Sequence, residues 1–151
     1  MTNSVSNIES LWPSDFISSD VDVTLPVMIL RQQATILGQL THNILEGLVE
    51  SSPELMPKYQ IPQIPEKKVM SDALRHNFYI KAPTLGGYRY KLFYATHKLA
   101  DTYPVNIYSP VFPDSFLQVI DEKEFCQAVS DIFNSEKTKK IVQSLLIQSE
   151  A

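Results

Sequence analysis

Three histidines, one cysteine, four glycines and a run of aromatic and cationic residues are the groups in this 151-residue chain with chemistry to offer. His42, His76 and His97 have neither the i, i+4 spacing of a helical zinc site nor a neighbouring cysteine pair, so each reads as a surface or internally satisfied histidine. His97 with Asp101, or His76 with a distant carboxylate, could form a general acid/base pair. With seventeen acidic residues in the chain, however, such pairs arise without purpose. Cys126 falls mid-helix, its nearest base being Lys123, and reads as a small buried apolar residue rather than a nucleophile. The glycines form neither a phosphate loop nor a dinucleotide turn, and no serine sits in a Gly-x-Ser-x-Gly elbow. No catalytic residue, cofactor or metal site is expected.

The run GGYRYKLFYATHK, Gly86 to Lys98, carries a different signal. Between Asp72 and Asp101 there are five Lys or Arg residues and no carboxylate, in a chain whose net charge is -4. Side chains alternate faces along a strand. Unbroken alternation places Tyr88, Tyr90, Leu92 and Tyr94 on one face and Arg89, Lys91, Phe93 and His97 on the other. The segment before it divides into inward Phe78 and Ile80 and outward Asn77, Tyr79 and Lys81. The one after it divides into inward Tyr103, Val105 and Ile107 and outward Asn106 and Tyr108. The outward set predicts a basic, aromatic face carrying Tyr79, Lys81, Arg89, Lys91, Phe93, His97 and Tyr108, with arginine and tyrosine available as anchors for an acidic protein segment. The plain alternative is a solvated strand face, since antiparallel sheets commonly keep one face in water.

These strands need elements to position them. Val27, Leu30, Ala34, Leu37 and Leu40 recur at helical spacing behind Pro26, predicting a helix over 26–40. Residues 43–50 are read as a strand, although periodicity alone leaves a helix open. Pro53, Pro57, Pro62 and Pro65 make about 51–75 a proline-rich loop. HNFYIKA and YRYKLFYATHK then flank a Pro83-to-Gly87 turn as a hairpin, and YPVNIYS gives a further strand, stopped by Pro110 and Pro113. Asp121 with Glu124 predicts a capped helix start, and Ser135 restarts the pattern for a last helix. The expectation is α+β: an N-terminal helix, a four-stranded antiparallel meander and two C-terminal helices packed on one sheet face. Residues 1–25 form a loosely ordered arm, anchored only by Leu11, Trp12 and Phe16, ahead of one domain over 26–151.

Composition narrows the partners. An acidic chain is disfavoured as a nucleic-acid binder held by phosphate contacts, and the glycine-and-aromatic signature of RNA-recognition sheets is missing. No apolar run reaches membrane-spanning length and no secretory leader pattern opens the sequence, so a cytoplasmic protein without a membrane partner is expected. The functional expectation is a non-enzymatic macromolecule-binding domain of the adaptor, accessory or inhibitor type, docking a protein through the basic, aromatic face or pairing there as a homodimer. The alternative is a small-molecule binder or small hydrolase with a pocket between sheet and helices, lined by Tyr88, Tyr90 and Tyr94 and by His76 or His97.

Overall fold

The computed structural model describes residues 8–14, 24–56 and 69–151. Pro26 opens helix α1 (Pro26–Leu40), whose stripe of Ile29, Leu30, Ala34 and Gly38 is buried. The helix stops at Thr41, where the hydroxyl donates to the Leu37 carbonyl at 2.9 Å and the same oxygen accepts the Leu45 N–H at 3.2 Å. His42 and Asn43 take the left-handed conformation, reversing the chain. This break settles residues 43–50 in favour of strand β1 (Glu46–Met56). Gly47 marks where α1 crosses β1, because a Cβ there would overlap the Ala34 backbone.

β1 pairs with β2 (Val69–Ala82), which turns through Pro83–Leu85 and the left-handed Gly86 and Gly87 into β3 (Tyr88–Lys98). β4 (Val105–Tyr108) and β5 (Phe116–Val119) complete an antiparallel sheet of order β1-β2-β3-β4-β5. Helices α2 (Glu122–Phe133) and α3 (Glu136–Glu150) follow. Asp121 caps α2 by accepting the Glu124 N–H at 2.8 Å, and Ser135 caps α3 by accepting the Thr138 N–H at 3.2 Å. The class is α+β, with all three helices on one face.

Three sequence expectations shift. The sheet has five strands, not four, because Phe116–Val119 folds back on β4 after a tight turn at Pro113, a residue whose sequence signal is only that of a strand stop. The strands also extend into the stretch read as loop, β1 through Pro53 to Met56 and β2 from Val69. Pro53 is tolerated because β1 is an edge strand and its register shifts between Pro53 and Leu55. The remaining prolines of that stretch, Pro57, Pro62 and Pro65, lie outside the described residues. Finally, Leu11 and Trp12 are largely exposed, while Phe16 lies outside the described residues.

The core lies between the sheet and the helices. Phe78, Ile80, Leu92, Val105 and Ile107, all expected inward, are buried against Leu30, Phe125, Ile132 and Leu145, and Tyr90 packs partly against them. Burying each such side chain contributes on the order of 1.5–3 kcal/mol.

Candidate docking face on the open side of the sheet

None of the three helices covers the opposite face, so what it presents follows from register. Tyr79 pairs with Lys91, whereas its neighbour Phe78 pairs with Phe93; Leu92 is the extra residue of a bulge. Leu92 and Phe93 are consecutively buried, and the alternation of β3 inverts there. Before the bulge, Arg89 and Lys91 face outward as expected. Beyond it, Tyr94 and Thr96 face outward while Phe93, Ala95 and His97 face the helices.

Of the seven residues proposed from sequence, the outer face therefore brings together Tyr79, Lys81, Arg89, Lys91 and Tyr108, and excludes Phe93 and His97. Phe93 is 2% exposed, stacked on Phe78 at 5.3 Å with Phe133 against both rings. His97 joins His76 on the inner side. Three residues that the sequence argument missed take their place: Arg75, Tyr94 and Phe116. Two adjacent large apolar residues inside an alternating strand, Leu92-Phe93, were the available sign of the inversion.

The outer residues form a connected row. Tyr94 stacks on Tyr108 with centroids 4.5 Å apart, and Tyr108 meets Phe116 at 5.2 Å. The Arg75 guanidinium lies 3.7 Å over the Tyr94 ring, and Lys91 Nζ approaches the same ring at 5.3 Å. Across β2, Arg89 lies 4.3 Å over Tyr79. The face is less basic than the charge run implies, because β1 contributes Glu46, Glu50 and Glu54 to it. Arg89 pairs with Glu50 at 2.6 Å and Arg75 with Glu54 at 3.3 Å. Five cations and three carboxylates thus share the face. Among the described residues Lys81, Lys91 and Lys98 have no ion-pair partner, and they are where a partner's carboxylates would meet unopposed charge.

On the inner side of the same strands lies a closed polar chain. The Lys98 carbonyl can only accept, so His97 Nδ1, 2.8 Å away, donates to it. In neutral His97 the other nitrogen, Nε2, then accepts from His76 Nε2 at 2.9 Å. His76 Nδ1 in turn accepts the Ser51 hydroxyl at 2.6 Å. Every ring nitrogen is used. Burial, then the neighbouring His97 and then Arg31 hold His76 down at about 4, so it stays neutral. His97 thus makes its hydrogen bonds within this chain, to His76 and the Lys98 carbonyl.

The alternative pocket of Tyr88, Tyr90 and Tyr94 with His76 or His97 does not assemble: Tyr94 is on the outer face and both histidines are in the chain just described. Tyr88 and Tyr90 do line a groove of about 560 Å³ with Leu85, Lys140, Ile141 and Leu145, between the start of β3 and α3. Cys126, expected to be buried, is exposed on α2. Among the described residues no three His, Cys, Asp or Glu cluster as a metal site, and no helix is long and apolar enough to cross a membrane. The chain matches no family model, no curated protein and no solved structure.

Proposed function

We propose that the protein binds another protein through the outer face of its sheet, acting as an adaptor, accessory or inhibitor-type component rather than as an enzyme. One observation carries this reading: the row Arg75–Tyr94–Tyr108–Phe116, with Tyr79 and Lys91 beside it, lies on the face that none of the described helices covers. Aromatic rings pre-stacked by their neighbours lose little freedom when a partner buries them, and arginines with tyrosines are favoured anchors. Lys81, Lys91 and Lys98 at the rim select acidic segments and speed encounter more than they add affinity, while Glu50 and Glu54 deter basic ones.

Photo-crosslinking in the native cell tests this. A benzophenone side chain at Tyr79 or Tyr108 is expected to trap a partner protein, whereas one at Tyr88, on the opposite side, is not. Trapping from Tyr88 alone would contradict the reading. It would also favour a second one, small-molecule or segment binding in the groove beside α3, whose volume suits a ligand pocket and whose only charged lining residue among the described residues is Lys140.

A further inference from the structure

The two edges of the sheet are built differently. β1 carries Glu46, Glu50 and Glu54, a proline at position 53 and a register shift, which are the devices that keep an edge from pairing. β5 carries none of them. Its sequence runs Phe116, Leu117, Gln118, Val119 and on to Ile120 without a charge or a proline. Phe116, Leu117 and Ile120 are exposed, the last at 65%, the flanking charges in sequence, Asp114 and Asp121, lie outside the segment, and the Glu124 carboxylate accepts the Ile120 N–H at its end. Among the described residues no strand pairs with β5 on the side away from β4. In an antiparallel ladder every second residue of such a strand turns its N–H and C=O outward.

The structure assigns this edge to a second copy of the chain: we propose that β5 pairs antiparallel with β5 of another molecule about a two-fold axis at Gln118, joining two sheets into one of ten strands. The occupant follows from the segment's own pattern. Set antiparallel against itself and centred on Gln118, it opposes Phe116 to Ile120 and Leu117 to Val119, twice each, with the two Gln118 amides meeting at the axis. All the cross-strand pairs except the central one are apolar, and pairs of this kind are the stabilising unit of a sheet. The paired span itself carries no charged residue, and at each end the Glu124 carboxylate, which accepts the Ile120 N–H at 3.0 Å, has to yield it for the Phe116–Ile120 rung to close. A C2 contact of this form closes on itself and leaves β1, the guarded edge, at both ends of the extended sheet. The outer aromatic row ends at Phe116, so the same pairing brings the two rows together across the axis.

Sedimentation of the full chain up to about 0.3 mM, where even a weak contact registers, is expected to show twice the 17.2 kDa monomer mass. Leu117→Lys is expected to return it to the monomer with an unchanged circular dichroism spectrum. Independently, Gln118→Cys in a Cys126→Ser background should form an intermolecular disulfide on mild oxidation, whereas Ser52→Cys on the β1 edge should not. A monomer at all concentrations without the 118 crosslink overturns the proposal, as does a dimer that survives Leu117→Lys in folded protein or links as readily through position 52. If Leu117→Lys does not fold, the two cysteine variants decide between these outcomes by themselves.

Discussion

Strands β1, β2 and β3 carry polar and aromatic groups on both faces, yet the two faces are finished in opposite ways. Inside, Ser51, His76, His97 and the Lys98 carbonyl form a chain in which each donor meets one acceptor, and His76 is 1% exposed. Outside, Arg75 and Lys91 lie over Tyr94, Tyr94 stacks on Tyr108 and Arg89 lies over Tyr79, yet these side chains remain open to solvent on one side. Residue type does not separate the two: histidine, arginine and tyrosine occur within a few positions of each other. What separates them is whether the protein itself completes the contacts. A completed polar cluster stabilises the fold, and an uncompleted one is available to something else.

Mutations placed on either side of β3 should break this comparison most sharply. Phe93→Ala, beneath the bulge, is expected to cost about 3–5 kcal/mol in urea unfolding, the usual loss for a buried phenylalanine. Tyr79→Ala, one strand away on the outer face, should cost less than about 1 kcal/mol. Equal losses would mean that the outer face is covered in solution.

The inner chain is also expected to make stability depend on pH. Folded His76 stays neutral down to about pH 4 but has its ordinary value of 6.5 when unfolded. Between those values the unfolded chain binds the additional proton, so stability is complete above about pH 6.5, declines as pH falls, and levels off below about 4. The full span is about 3 kcal/mol. Thermal unfolding of the wild type and of His76→Gln across this window should show the slope in the former and its reduction in the latter. Removing the hydroxyl partner with Ser51→Ala leaves a buried acceptor unsatisfied and should cost about 1–3 kcal/mol. The smallest change belongs to the outer ion pairs: Glu54→Gln, which discharges Arg75's partner, is expected to alter stability by less than about 1 kcal/mol.

Much of this organisation was legible in the chain itself. α1 occupies the 26–40 predicted from its apolar spacing, Asp121 and Ser135 cap the last two helices, and Gly86-Gly87 makes the hairpin turn, because these signals are local. What escaped were non-local facts. The bulge at Leu92 depends on β2 pairing and inverts half of β3, which moved Phe93 and His97 inward and Tyr94 outward. Glu50 and Glu54 are distant in sequence from the basic run, so their neutralising role appears only once β1 lies beside β2. β5 is four residues long, and its strand character rests on its partner β4 rather than on its own pattern.

The claim that the outer face docks a partner is tested most directly by affinity capture from the native cell with the wild type and a Tyr79→Thr/Lys91→Glu double variant, quantified side by side. A specific protein retained by the wild type and reduced at least about tenfold by the variant, a difference of about 1.4 kcal/mol, is the predicted result, with the melting temperature held within about 3 °C. Capture undiminished by the double variant, or lost only along with the fold, would contradict it.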